Sequence, residues 1–206
     1  MKKKVLSVLF ILALGGSLFA QFSFNLGATS DYVWRGVTQT EGDPALQGGI
    51  DWDHASGFYL GGWASNISFD GESDIEVDFY GGILVPLPND VELDLGYMRY
   101  EYMDSDAEDE VYAGLSWKDI EVKYARGFEV NWHYLEGNLA LPLPSDFELG
   151  LHFGRFDFDD DEDYNEWKAA VARPWKGFDF ELAFTDTDLG IEGADARASF
   201  TVMKTW

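Results

Sequence analysis

Cysteine is absent from the 206-residue chain, and basic residues are scarce. Without cysteine the fold contains no disulfide and the protein has no thiolate chemistry. Only 14 Lys and Arg residues stand against 38 Asp and Glu residues. Nucleic-acid binding needs clustered Lys and Arg to neutralise phosphates, so this charge balance excludes nucleic acid as a partner. Stability must therefore come from backbone pairing and side-chain packing.

Long hydrophobic runs are absent after the first twenty residues. A lysine triplet at residues 2–4 precedes an apolar run at residues 5–14, a pattern that predicts a secretory signal peptide over residues 1–20. Two glycines end the run before it reaches the roughly 20 apolar residues of a membrane-spanning helix. The remaining residues, 21–206, hold 11 basic and 38 acidic residues, a formal net charge of −27. They are predicted to form one domain.

Apolar and polar residues alternate with a period of two throughout residues 21–206, which predicts an all-β fold. For example, Phe178, Phe180 and Leu182 share one face, while Asp179 and Glu181 lie on the other. The predicted strands are residues 22–34, 44–53, 57–66, 73–85, 90–102, 109–117, 119–128, 131–141, 146–156, 164–173, 177–186 and 194–206.

The links between these twelve strands alternate between short turns and longer, mostly acidic loops. Together with aromatic residues near strand ends, this asymmetry predicts a transmembrane, antiparallel, up-and-down β-barrel with its short turns in the periplasm. A soluble β-sandwich also alternates and remains the rival fold. Phe200, Val202 and Trp206 share one face of the last strand and resemble the signal read by the barrel-assembly machinery of the outer membrane. Lys204 interrupts that face.

Three predicted strands end their outward face with an aromatic residue followed by an arginine. These pairs are Tyr97 and Arg99, Tyr124 and Arg126, and Phe153 and Arg155. Aromatic rings prefer the membrane interface. Guanidinium groups offer forked donors to phosphate, so one hypothesis pairs these arginines with lipopolysaccharide phosphates. Ordinary snorkelling of the side chains is the alternative. Trp117 and Trp175, beside short turns, predict an aromatic girdle on the opposite rim.

The predicted inward face carries more carboxylates than bases. The predicted pore-lining residues are Arg35, Glu76, Asp78, Glu92, Asp94, Glu121, Lys123, Glu148 and Glu181. Unpaired carboxylates are costly in a dry core, which favours water in the lumen. An acidic, water-filled lumen predicts a channel that passes small cationic or neutral solutes by passive diffusion, with a weak cation preference. A closed barrel whose networks absorb the charge, acting as a structural or binding protein, is the alternative.

Enzymatic and metal-binding functions find little support. His133 is the one histidine predicted to face outward. The outward positions of its neighbouring strands contain no serine, so the serine–histidine pair that a lipid hydrolase needs is not predicted. No phosphate loop, dinucleotide fingerprint or zinc-spaced cluster is present. The acidic runs at residues 104–109 and 157–163 lack the spacing of a calcium loop, so solvated surface runs are favoured. No enzyme, cofactor or metal is predicted.

The segment SDYVWRGVTQT at residues 30–40, followed by DPA at 43–45, QGG at 47–49 and SGFY at 56–59, resembles the TorF family of porin-like bacterial outer-membrane barrels. The resemblance is strongest over residues 27–66. It implies an exported precursor and an outer-membrane barrel, and brings no catalytic or ligand residues. Arg35 is predicted, from its parity in the strand, to point inward and pair with a lumenal carboxylate.

Overall fold

The computed structural model describes residues 21–103, 105–159 and 162–206. The predicted signal peptide lies outside these residues. The strands are β1 (Gln21–Thr29), β2 (Val33–Trp34), β3 (Val37–Thr38), β4 (Ala45–Asp53), β5 (Phe58–Phe69), β6 (Glu72–Leu87), β7 (Val91–Tyr102), β8 (Glu108–Trp117), β9 (Ile120–Gly127), β10 (Trp132–Pro142), β11 (Glu148–Phe158), β12 (Tyr164–Trp175), β13 (Phe178–Thr187) and β14 (Arg197–Thr205). One 3₁₀ turn, Pro88–Asp90, precedes β7. None of the helical structure in these residues is long and apolar enough to cross a bilayer.

Twelve of these strands, β1 and β4 to β14, form a closed antiparallel barrel. Each barrel strand pairs with its neighbours in sequence, and β1 closes the barrel by pairing with both β4 and β14. Gly27, for example, lies opposite Gln47 on one side and Met203 on the other. Closure leaves no unpaired sheet edge, as a β-structure in lipid requires. The predicted twelve-stranded barrel is confirmed.

Large apolar side chains cover the outside of the barrel. On β13, Phe178, Leu182 and Phe184 are exposed, while Asp179 and Glu181 point inward between them. The same pattern repeats around the barrel, giving a continuous apolar belt. A soluble sandwich would bury this face against a second sheet. The rival fold is therefore excluded, and the period-two pattern reports an apolar exterior and a polar interior.

The two ends of the barrel differ in their links. We call the end with the links at residues 54–57, 88–90, 118–119, 143–147 and 176–177 the turn end. The loop end has the links at residues 30–44, 70–71, 128–131 and 188–196, together with the described residues 103, 105–107, 159 and 162–163. The predicted alternation in length fails at two loop-end links. Residues 128–131 are no longer than the turn-end links at 54–57 and 143–147, and Asp70 and Gly71 form a two-residue hairpin turn. Both residues have positive φ angles, as an Asp-Gly turn of type I′ requires. β5 and β6 are correspondingly long, at 12 and 16 residues.

The first predicted strand, 22–34, is too long, because β1 ends at Thr29. The chain then turns into the barrel. The Asp31 carboxylate accepts hydrogen bonds from the hydroxyls of Thr38 at 2.5 Å and Thr40 at 3.2 Å, which folds the segment back on itself. β2 and β3 pair as a minimal hairpin. We call residues 31–40 the inserted hairpin.

Candidate functional site in the lumen

The inserted hairpin crosses the lumen at the loop end. The Trp34 ring packs edge-on against Tyr100 of β7 and Phe156 of β11, with ring centroids 5.9 and 6.0 Å apart. Tyr32 packs against Trp63 of β5 at 5.4 Å. Because these strands lie on different sides of the barrel, the hairpin fills the space between them.

Arg35, at the tip of the hairpin, lies in a cage of aromatic rings. Its guanidinium carbon is 4.4 Å from the ring centroid of Trp34, 4.7 Å from Trp132, 4.2 Å from Tyr134 and 5.3 Å from Phe156. A cation within about 6 Å of an aromatic face is stabilised, most strongly when it is desolvated. The cage therefore fits a buried cation.

A carboxylate completes the site. Arg35 Nη2 lies 2.8 Å from Glu110 Oε2, and the two side chains are only 8% and 3% exposed. The Tyr100 hydroxyl donates to the same oxygen at 2.9 Å. Arg35 was predicted to pair with a lumenal carboxylate, but Glu110 was not among the predicted pore-lining residues. Its inward parity on β8, shared with Tyr112, is a signal that could have found it.

The hairpin is anchored on the opposite side of the barrel as well. Tyr164 of β12 donates its hydroxyl hydrogen to the carbonyl oxygen of Arg35 at 2.9 Å. Arg197 of β14 donates to the Asp31 carboxylate at 2.8 Å. The backbone N–H of Thr38 donates to the Gly193 carbonyl at 3.0 Å. These contacts hold the hairpin between the β13–β14 loop and the barrel wall.

Gly36 is the point of closest approach between the hairpin and the wall. A Cβ atom there would lie 2.4 Å from Thr187 Cγ2 and 2.7 Å from Glu166 Cβ. Its φ angle of +86° also favours glycine. Gly42 has nearly the same φ, +85°, but a Cβ there would meet nothing within 4 Å. Comparing substitutions at these two glycines therefore separates the effect of backbone strain from the effect of steric contact.

Gly36→Ala should destabilise the barrel more than Gly42→Ala does. Both substitutions carry the cost of a left-handed alanine, about 1 kcal/mol, and only Gly36→Ala adds overpacking of about 1–3 kcal/mol. Urea unfolding of the protein in lipid vesicles measures both. Equal losses would contradict tight packing of the hairpin tip.

Glu76 and Asp78 lie beside the hairpin and are buried. Glu76 Oε2 and Asp78 Oδ1 accept no hydrogen bond from the residues that the structure describes. Both side chains are closed to bulk solvent at this level. Packing of the inserted hairpin is the physical reason.

A hydrogen-bonded network around His152 lies directly under the hairpin tip. Glu166, which faces Gly36, accepts a hydrogen bond from the Tyr134 hydroxyl and contacts His152 Nε2. His152 Nδ1 lies 2.7 Å from Asn138 Oδ1. The carboxylate, the imidazole and the cage residue Tyr134 thus form one connected network.

The turn-end half of the lumen is less tightly filled. The predicted pore-lining residues in this half point inward and are half-buried: Glu92, Asp94, Glu121, Lys123, Glu148 and Glu181. Lys123 pairs with Glu136 at 2.6 Å, and Lys168 pairs with Glu181 at 2.7 Å. Carboxylates still outnumber bases among the inward side chains of this half.

Inward-facing tyrosines are further lumenal residues that the predicted pore-lining set did not include. Tyr59 donates its hydroxyl hydrogen to Asp94 Oδ1 at 2.7 Å. Tyr80 donates to Asp51 and lies directly across from Gly61, where a side chain would collide with the ring. A glycine opposite an inward aromatic residue gives room for the ring. Pairing glycines with tyrosines across neighbouring strands would have revealed this layer.

The predicted lipid-interface residues lie on the outer face, but two arginines have partners within the chain. Arg99 binds both oxygens of Asp109 at 3.0 Å and also contacts Glu101. Arg155 pairs with Asp157 at 2.6 Å and Asp163 at 3.0 Å.

The third arginine, Arg126, lies 5.9 Å from the Phe128 ring centroid. The aromatic members of the predicted rim, Tyr97, Tyr124 and Phe153, are exposed. Any phosphate ligand of Arg99 or Arg155 would have to compete with the chain's own carboxylates.

At the turn end, Trp117 and Trp175 are exposed, and lysine ammonium groups lie over their rings at 4.1 and 4.5 Å. In the last strand, Phe200 is exposed on the outer face and Val202 is half-buried. Trp206, one residue after the strand, is exposed. The two turn-end tryptophans and the residues of the predicted assembly signal therefore lie on the apolar outer surface of the barrel.

The β13–β14 loop, which anchors the hairpin, is itself fixed at its start. Asp188 accepts hydrogen bonds from the side chain and the backbone N–H of Asn165, at 2.7 and 2.6 Å. These bonds hold the pKa of the Asp188 carboxyl below its usual value.

Among the described residues, no three Asp, Glu or His side chains are placed to hold a metal ion. His133 stacks on Tyr124 on the outer face, and its Nδ1 lies 2.5 Å from the tyrosine hydroxyl. That pair has the character of an interfacial aromatic contact.

The barrel is similar to solved porin structures. A "KdgM porin" superposes with a TM-score of 0.66 and 10% sequence identity, covering 89% of this chain and 98% of that one. A "KdgM porin in complex with disordered oligogalacturonate" gives the same TM-score and identity, with coverage of 91% and 98%. A "NanC porin" gives 0.62 and 12%, with coverage of 90% and 98%. At such low identity the likeness shows the fold, a porin-like barrel.

No curated protein matches the chain. The comparisons support the porin-like fold that the resemblance at residues 30–40 implies, and they do not extend to the TorF name. A sequence model described as "Bacterial protein of unknown function (Gcw_chp)" matches residues 14–206. The chain therefore belongs to the Gcw_chp family.

Proposed function

We propose that this protein is a porin-like channel of the bacterial outer membrane, through which small hydrophilic solutes diffuse passively with a weak preference for cations. The observation that carries the proposal is the closed barrel with an apolar belt outside and an excess of carboxylates inside. Such a wall suits a lipid environment, and such a lumen suits polar solutes. No catalytic step is part of the proposal.

The sign of the lumenal charge supports the cation preference. Carboxylates facing a low-dielectric channel attract cations and repel anions. Oligogalacturonate, bound by one of the similar porins, is an acidic sugar chain. The acidic inner face of this barrel would repel such a ligand, so we propose cationic and neutral solutes for this chain.

The inserted hairpin limits passage. Because it packs against β5, β7 and β11, solutes must displace it or pass only when it has moved. Because the hairpin fills the loop-end half of the lumen, a second candidate is also favoured. This candidate is a non-conducting barrel with a structural role or a role in binding cations or partners. The two candidates differ in whether current flows.

Planar-bilayer recording with two proteins decides between them. The wild type should give rare or small conductance steps. A variant in which residues 32–40 are replaced by Gly-Ser-Gly should give larger, frequent steps, with a reversal potential that favours cations. Heat-modifiable migration in detergent gels is the control for folding. Silence from both proteins, when both are folded, would support the non-conducting barrel.

Membrane partners complete the proposal. We place the exposed aromatic residues at the membrane interface and assign recognition by the barrel-assembly machinery to Phe200, Val202 and Trp206. Pairing of rim arginines with lipopolysaccharide phosphates, a Gram-negative origin and membership of the TorF family belong to the same proposal. Outer-membrane fractionation tests the location.

A further inference from the structure

The aromatic cage around Arg35 is built mainly by the barrel wall. Trp132 and Tyr134 belong to β10, Phe156 to β11 and Glu110 to β8, whereas Arg35 belongs to the inserted hairpin. We call these four wall residues the cage site. Receptor and occupant thus come from separate parts of the chain. Three of the four rings around Arg35, and the Glu110 carboxylate, therefore remain when the hairpin leaves.

We propose that the cage site is a binding site for alkylguanidinium solutes and that Arg35 is its resident, intramolecular occupant. The inference rests on the proposed function, since it names a solute class for that channel. A planar guanidinium stacks on aromatic faces and gives forked hydrogen bonds to a carboxylate, which a compact ammonium cannot match. Rings at 4.2 to 5.3 Å and a carboxylate at 2.8 Å supply both interactions.

The cage site is held in place by its own neighbours. Glu110 accepts the Tyr100 hydroxyl hydrogen at 2.9 Å. Phe156 stacks on both Phe158 and Tyr164, with ring centroids 4.4 and 5.4 Å apart. Because these contacts do not involve Arg35, the site retains its shape without the occupant. Preorganisation of this kind favours binding of a free ligand.

Arg35 fills the site imperfectly. Its Nη1 is buried and has no hydrogen-bond partner among the described residues. Its backbone φ of +44° is in the left-handed region, unusual for a residue other than glycine or asparagine. A free alkylguanidinium is not bound by these constraints. However, a tethered group competes at an effective concentration on the order of millimolar, so a solute must exceed that concentration to displace Arg35.

Chemical rescue of Arg35→Ala tests the site directly. N-ethylguanidinium supplies the atoms that this truncation removes. It should raise the urea midpoint of Arg35→Ala in a saturable manner and leave the midpoint of Arg35→Ala combined with Glu110→Gln nearly unchanged. N-ethylurea, which is neutral and of similar shape, is the matched control. No shift, or an equal shift with N-ethylurea, would overturn the proposal.

If Arg35→Ala does not fold alone, its folding yield is measured with each compound present. Yield restored by N-ethylguanidinium and not by N-ethylurea supports the site. Yield restored by neither compound, or equally by both, overturns it. None of these measurements needs ionic current, so failure of the site is distinguishable from failure of the channel proposal.

Displacement of Arg35 is tested in the wild type by chymotrypsin cleavage at Tyr32 and Trp34. Tyr32 is buried and Trp34 is packed inside the lumen. N-ethylguanidinium well above millimolar concentration should raise the cleavage rate severalfold over N-ethylurea. An unchanged rate would mean that a solute does not compete with Arg35, and the solute-binding role would be rejected.

Discussion

Arg35→Met should lower the free energy of unfolding by about 3–5 kcal/mol, because it leaves the buried Glu110 carboxylate without its cation. The methionine side chain still fills much of the aromatic cage, so lost packing contributes little. Unfolding should be measured with urea in lipid vesicles. Guanidinium chloride is unsuitable here, since its cation has the chemistry of the group that was removed.

A double-mutant cycle isolates the ion pair from the rest of the cage. Glu110→Gln alone leaves Arg35 buried and should also be strongly destabilising. The double variant should be more stable than the two single losses predict by addition, since neither charge remains. Additive losses would contradict a direct coupling between Arg35 and Glu110.

Lys123→Met provides a matched control for the same experiment. Lys123 pairs with Glu136 at 2.6 Å, and the Glu136 side chain is 12% exposed, against 3% for Glu110. Water can therefore solvate part of the charge on the Glu136 carboxylate that remains after Lys123 is replaced. The loss of stability should be smaller than for Arg35→Met. A similar loss would indicate that the two halves of the lumen are equally dry.

The barrel itself was predictable because its signal is local. In a strand that separates lipid from a polar interior, apolar and polar residues alternate one by one. This pattern is visible in segments such as Phe178–Thr187. Strand number followed from counting such segments, and most strand ends were found to within three residues. The pattern says which side each residue faces, as for Leu182 and Glu181, and needs no knowledge of distant partners.

The inserted hairpin was not predictable from that pattern. Parity gives an inward direction to Arg35 only while the strand continues, and the strand stops at Thr29. The stop depends on Asp31 bonding to Thr38 and Thr40, and on Arg197 reaching Asp31 from the last strand. This last contact joins residues 166 positions apart. Which side chains meet across the lumen depends on the diameter of the closed barrel, which local alternation does not encode.

The charge of the lumen was partly predictable for the same reason. Inward parity places carboxylates such as Glu76 and Asp78 on the inner face, and both are buried in the structure. It did not reveal that the hairpin would bury them, because burial depends on a segment inserted from elsewhere in the chain. The excess of inward-facing acids thus follows from the local sequence pattern. Their burial at the loop end follows from the tertiary fold.

Leu95→Arg should destabilise the barrel by about 2–4 kcal/mol, because the proposed function places this outer-face position in lipid near the middle of the membrane. Leu95 is 43% exposed, lies on the outer face of β7 and pairs with Ile83 and Ala113 in neighbouring strands. Urea unfolding in lipid vesicles measures the effect. Leu95→Ala separates the loss of the leucine side chain from the cost of the added charge.

Ile120→Arg is the matched control for depth. Ile120 is also exposed and aliphatic, but it begins β9 and pairs with Trp117 across the turn. An arginine there can extend its head group into water, so the cost should fall to about 0–1 kcal/mol. A difference between the two sites in vesicles establishes that the apolar belt is immersed in lipid. Equal effects at both sites, or a negligible effect at Leu95, would overturn the assignment of this face to the membrane.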